Sequence, residues 1–149
     1  MKDNILPNYG KQNFLNIPST FLKLLGINPI KEVLPEKFYQ NILGLEKVLF
    51  FLFDGFGHNL YQKKGLKYSF FKKLAEKGLY NPIRSVFPST TAAAISTINS
   101  GLSPIEHGLQ EWYLYFQELN AILESLPFEP VFKEDLSKLK SARLDIKRL

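Results

Sequence analysis

The sequence contains no cysteine, which excludes a disulfide framework and a thiolate metal site and is compatible with a reducing compartment. No apolar run approaches the roughly 20 residues of a membrane span. The start, Met1 to Asn16, is polar and lacks the apolar centre of a signal peptide, so a soluble, cytoplasmic protein is expected. Histidine is scarce: His58 and His107 are the only two. The basic residues, although they leave a net charge of +5, form no aromatic-interleaved motif and no recognised binding module, so specific nucleic-acid recognition is not expected. Charge of this size speaks to solubility and to non-specific contacts.

What is present suits one globular domain. The chain has 149 residues, of which 45% are hydrophobic, and at this length about 70% of the unfolded surface can be buried. Three segments are expected. Residues 1–46 read as a leader with short helices at Pro18–Gly26 and Pro35–Gly44, residues 47–130 as an α/β domain, and residues 131–149 as an amphipathic basic helical tail.

The chain is organised around Phe87–Gly108. Pro88 stops a strand, Ser89 and Thr90 are good N-cap types, and Thr91 opens a helix that Gly101 and Pro104 end. A hydroxyl at a helix N-terminus lies beside free amide donors and the positive end of the helix dipole, which favour a phosphate or a forming alkoxide. Ser or Thr before an alanine-rich helix is also an ordinary cap. A threonine nucleophile needs a base or a metal to activate it.

Upstream, Val48–Phe53 is a run of six apolar residues, the pattern of a strand buried on both faces in a parallel sheet. Asp54 then lies just past its C-terminal end, the edge at which open α/β sheets bind ligands. Gly55 and Gly57 allow the backbone to turn beside the carboxylate. Between the two stretches, Asn59–Lys64 predicts a turn of helix. Ser69–Gly78 predicts a capped helix with Phe70, Phe71 and Leu74 on one face, and Leu79–Phe87 a second strand. This strand, helix, strand order is a βαβ unit, which brings Asp54 and Thr91 to one sheet edge.

Asp54-Gly-Phe-Gly57, Phe87-Pro-Ser-Thr-Thr91 and Ser100-Gly-Leu-Ser-Pro-Ile-Glu-His-Gly108 together resemble the alkaline phosphatase superfamily, in particular its type I phosphodiesterase/nucleotide pyrophosphatase branch, over roughly residues 46–113. The resemblance implies an alkaline-phosphatase-like fold, a parallel-sheet sandwich with helices on both faces. It implies hydrolysis of small phosphate-ester or nucleotide substrates with two divalent ions, zinc by the family's habit, with manganese or magnesium as alternatives. By the same resemblance Asp54 is a metal ligand, Thr91 is the nucleophile that also touches a metal, and His107 has a structural role. The basic charge would then help attract an anionic ester, less so in salt.

Two departures qualify it. The branch commonly shows Thr-Phe-Pro-Asn where this chain has Thr91-Ala-Ala-Ala94, so Ala94 stands in place of an asparagine amide that helps hold the phosphoryl oxygen. Thr90 and Thr91 are adjacent, so the register could be off by one residue; the spacing that the resemblance implies, ten residues back from Gly101, selects Thr91. The family's remaining Asp and His ligands come from its C-terminal half, and no Asp-His pair follows Trp112. Two ions roughly 3.5 to 4 Å apart need several carboxylate or imidazole ligands. The chain is therefore expected to be the N-terminal part of such a hydrolase, truncated or in need of a partner segment.

Other residues keep two readings. His58, four residues after Asp54, is a candidate metal ligand or a group beside the site. Arg84 could contact phosphate, or face solvent or an internal carboxylate. Gln110–Phe116 could line a pocket or pack in a core or interface. The tail, with six Lys/Arg and three Asp/Glu over 131–149, could lie on a membrane surface or cover a missing partner. Besides the hydrolase, a non-catalytic fragment that binds phosphate or a protein partner, and a related metal-dependent phosphomutase or phosphatase, remain as alternatives.

Overall fold

The computed structural model of the chain describes residues 9–40 and 42–141. Six α-helices lie among them: α1 (Asn16–Leu24), α2 (His58–Lys64), α3 (Ser69–Lys77), α4 (Thr91–Ser100), α5 (Pro104–His107) and α6 (Leu136–Ser141). Three strands, β1 (Tyr113–Phe116), β2 (Ala121–Glu124) and β3 (Glu129–Pro130), form a small antiparallel sheet in the order β1-β2-β3. The chain is thus of mixed α/β type.

The expected parallel sheet is not seen among the described residues. Val48–Phe53 joins no ladder, and its side chains are open to solvent, Leu49 at 85% and Phe51 at 72%. A strand buried on both faces needs a neighbour on each side, and none of the described segments occupies those positions. Phe50 instead packs edge-on against Phe21 of α1, with centroids 5.2 Å apart. Leu79–Phe87, the other expected strand, forms a single parallel bridge, between Arg84 and Asn13.

The helices between these segments do form. α2 and α3 follow the sequence closely, but α3 places Phe70 and Leu74 in solvent, 59% and 54% exposed, so the apolar stripe expected to be core is largely uncovered. In the leader, α1 ends at Leu24 and Gly26 takes φ +75°, whereas the second expected helix shrinks to one 3-10 turn at Glu36–Phe38.

Burial is concentrated in two places. Leu15 and Ile17 of the leader, Leu34, Tyr39 and Val86 are buried, as are Ala92 and Ala93 of α4, and α1 packs on α4. The buried polar groups there are hydrogen-bonded, as burial requires: Thr20 donates to the Asn16 carbonyl and accepts from Leu34 N–H, and Ser19 accepts from Lys31 N–H. The second core is Leu119, Ala121 and Leu123, with Phe116, Phe128 and Leu139 against it. Of Gln110–Phe116, Phe116 of β1 packs on this core, whereas Trp112, Tyr113 and Tyr115 are exposed. The tail is helical over Leu136–Ser141 and held by Lys138, which pairs with Asp135 at 2.6 Å and donates to the Asn120 carbonyl; the rest of the expected tail helix, Ile146 and Leu149 included, lies outside the described residues.

Candidate active site

The helix that Thr91 opens begins where its residues predict. Thr90 is the N-cap of α4: its hydroxyl accepts from Ala93 N–H at 3.2 Å and its carbonyl from Ala94 N–H at 3.0 Å. Two donors of the first turn, the N–H groups of Thr91 and Ala92, have no partner among the described residues. Gly101 ends the helix in the left-handed region at φ +70°, a conformation that glycine adopts without steric cost.

Thr90 and Thr91 point to different work. The Thr90 hydroxyl, besides capping, donates to the Gln110 carbonyl at 2.6 Å. The Thr91 hydroxyl donates to Oδ2 of Asp54 at 3.1 Å. Asp54 reaches it because Gly55, at φ +67°, turns the chain sharply after the carboxylate. Both residues line an open cleft of about 600 Å³ whose far wall is aromatic, from Tyr61, Phe71 and Tyr80.

His58 also lines this cleft, but its Nδ1 is 2.7 Å from the Tyr80 hydroxyl and its ring stacks on Tyr80 at 6.0 Å, which tie it to the aromatic wall. Arg84 is exposed and is not among the cleft residues; its backbone pairs with Gln12 and Phe14. Ala94 lines the cleft and offers no side-chain donor there.

His107 packs behind α4. Its Nδ1 accepts from Leu109 N–H at 3.0 Å and its Nε2 lies 3.2 Å from the Thr97 hydroxyl. Burial holds its pKa below the usual histidine value, against hydrogen bonding to the Ala93 backbone and the charge of Glu106. A neutral ring fits this geometry, since Nδ1 must stay unprotonated to accept. Glu106 is held at a pKa of about 2 by hydrogen bonds from Lys31 and from the Ser103 side chain and backbone. Lys31 Nζ sits 2.7 Å from the carboxylate, joining the leader to the capping box that opens α5.

Two oxygen donors 3.1 Å apart on one rim suit one side of a divalent ion. Among the described residues, however, no three His, Asp or Glu side chains are grouped so as to hold a metal. The residues present fit part of a ligand set and do not complete one.

The tyrosine contacts of the site were not legible in the sequence. Tyr80 sits 22 residues from His58, and no spacing rule pairs them. The signal was the aromatic richness of 50–80 taken together with Asp54.

A search of curated proteins and a search of solved structures each returned no match. The model of the family described as type I phosphodiesterase / nucleotide pyrophosphatase matches residues 48–127, more than half of the chain and the stretch that carries both Asp54 and Thr91. The chain therefore belongs to the type I phosphodiesterase/nucleotide pyrophosphatase family.

Proposed function

We propose that this chain carries the nucleophile side of a phosphate-ester hydrolase acting on small diesters or nucleotides, with Thr91 as nucleophile and Asp54 beside it. The observation that carries the reading is the Thr91 to Asp54 hydrogen bond at the mouth of the cleft. The carboxylate accepts the hydroxyl proton's hydrogen bond and so turns an oxygen lone pair toward the cleft. Thr91 Oγ1 attacks phosphorus in line, the hydroxyl proton passes by way of Asp54 to the departing ester oxygen as that P–O bond breaks, and a phosphoester of Thr91 forms that keeps the second substituent of a diester. Water then cleaves the bond between Thr91 and phosphorus and restores the hydroxyl. The N–H groups of Thr91 and Ala92 face the developing charge on the phosphoryl oxygens, helped by the positive end of the α4 dipole.

Asp54 and Thr91 would hold a divalent ion between them, and such an ion lowers the pKa of a bound hydroxyl and draws charge from the phosphoryl group. Zinc is the first choice, with manganese and magnesium also suited to oxygen ligands. The remaining ligands are supplied by a further segment or a partner chain, which also completes the parallel sheet of an alkaline-phosphatase-like domain around Val48–Phe53.

A second reading is supported by the incomplete ligand set: the chain binds phosphate or a protein partner without turnover. Hydrolysis of a chromogenic phosphodiester by the 149-residue chain, with and without zinc or manganese and beside Thr91→Ala, separates the two. Metal-dependent turnover lost in the variant supports the hydrolase. A folded chain that binds phosphate and never turns over supports the second reading. Comparing monoester, diester and sugar phosphate substrates separates a diesterase from a phosphomutase or phosphatase.

A further inference from the structure

Residues 9–14 lie outside the family match, which begins at residue 48, yet they hold the segment leading into the nucleophile helix at Pro82, Arg84, Ser85 and Phe87. The Gln12 side-chain amide donates to the Pro82 carbonyl at 2.8 Å. Arg84 N–H donates to the Gln12 carbonyl at 3.1 Å, and Phe14 N–H returns a bond to the Arg84 carbonyl at 2.9 Å. Asn13, with no exposed surface, donates from Nδ2 to the Ser85 carbonyl at 3.0 Å, while its Oδ1 accepts from Leu15 N–H. Last in the series, the Tyr9 hydroxyl accepts from Phe87 N–H at 2.9 Å and donates to the Phe87 carbonyl at 3.2 Å.

One phenol thus occupies both backbone groups of Phe87, as a neighbouring strand would. Phe87 precedes Pro88, and Ser89 and Thr90 are then all that separate it from the nucleophile. The first turn of α4 is fixed from behind by the burial of Ala92 and Ala93, so the direction of Thr91 depends on how residues 87–90 approach it. We infer that Tyr9 is a positioning residue for Thr91: its bracket on Phe87 sets the path by which the chain enters α4 and thereby the aim of the Thr91 hydroxyl. This rests on the proposed role of Thr91. A displacement of 1 Å at a reacting group can cost on the order of a hundredfold in rate, so a modest shift at residue 87 is enough to be read.

The test uses the full chain, with Tyr9→Phe, which removes only the hydroxyl, and Tyr115→Phe as a matched control. The Tyr115 hydroxyl also makes an exposed bond, to Asn120 Oδ1 at 2.8 Å, and Tyr115 is not among the residues that line the cleft. In amide correlation spectra, Tyr9→Phe is expected to move the Thr91 and Ala92 resonances and to leave that of Leu123 in place; Tyr115→Phe leaves Thr91 and Ala92 unmoved. Unmoved Thr91 and Ala92 resonances in Tyr9→Phe overturn the inference. Where diester turnover is measured, kcat falls about tenfold in Tyr9→Phe at unchanged KM, in keeping with a misaimed nucleophile. A loss that only tracks the fall in melting temperature would make Tyr9 a stability residue and overturn the inference as well. Failure of the functional reading looks different: turnover unchanged by Thr91→Ala, with the resonance test still decided on its own terms.

Discussion

The hydroxyl of Thr91 and the carboxylate of Asp54, separated by 37 positions in the chain, meet at 3.1 Å, with the threonine donating. The neighbouring Thr90 hydroxyl turns the other way, to the Gln110 carbonyl and the Ala93 amide. Adjacent residues of one type are thus given different partners by the start of one helix, Thr91 on the cleft carboxylate and Thr90 on backbone groups.

That division predicts opposite phenotypes. In the metal-complete protein, Thr91→Ala lowers diester turnover by a factor of about 10³ or more with little change in melting temperature. Thr90→Ala destabilises by about 1 kcal/mol through loss of the cap and keeps turnover within a few fold. Paired kinetics and thermal melts on both variants check this, and the reverse pattern would move the nucleophile to Thr90.

His58 is expected to matter for the aromatic wall more than for a metal. Its contacts with Tyr80, the 2.7 Å bond and the ring stack, lead us to expect a stability loss of about 0.5–1.5 kcal/mol in His58→Ala. Zinc affinity should fall by less than about tenfold, the lower bound for losing even a group that supports a ligand. Calorimetric titration of His58→Ala and Asp54→Ala with zinc compares them directly, and a loss at His58 as large as that at Asp54 would make it a ligand.

Glu106 stabilises the fold and loses that effect on the acid side. Its carboxyl is lowered from 4.5 to about 2 in the folded chain, so the unfolded state binds the proton first. The stability it contributes is present above about pH 4.5 and is lost as pH falls toward 2. The group is exposed, so solvent screening keeps the effect small. Melting curves across that window should be flatter in Glu106→Gln than in the parent, and identical slopes would discard the Lys31 contact as a contributor.

His107 acts at higher pH. Its folded pKa lies below 6.5 because of burial, so unfolding takes up a proton as pH drops through 6.5, and stability falls over the window just beneath that value. His107→Asn should lose this slope. It should also cost about 1 kcal/mol at neutral pH through its broken hydrogen bonds to Leu109 and Thr97. Denaturant midpoints at several pH values between 5 and 7.5 provide the measurement.

The open run beside Asp54 should favour self-association. Phe51, 72% exposed, can be changed to Glu at a cost within about 0.5 kcal/mol, while sedimentation velocity should show less self-association than in the parent chain. A large loss of stability would mean that Phe51 is covered in solution.

Legibility in the sequence followed the range of the forces involved. α4 was readable to the residue because its start and stop are local: Thr90 caps it, and Gly101 ends it in a conformation that suits glycine. The Asp54 turn was readable for the same reason, through Gly55. The parallel sheet expected around Val48–Phe53 is not seen among the described residues: an apolar run states only that it suits burial and leaves its neighbours unnamed. The β1-β2 pairing was missed in Gln110–Phe116, where aromatic richness masked a short alternating strand. Its turn was marked by Asn120, at φ 44°, a residue type that tolerates the left-handed region. The hold of Tyr9 on Phe87 spans 78 residues, a contact that no window along the chain can contain.

Ala92 and Ala93 are 1% and 0% exposed, and successive residues of a helix are turned by about 100°. Rolling α4 by one position would drive the Thr91 hydroxyl toward the space now filled by a methyl group and swing a methyl group out over the cleft. The two alanines therefore act as a key in a slot: a larger side chain at either place would turn the whole helix like a dial, and the hydroxyl presented to a phosphate would change with it.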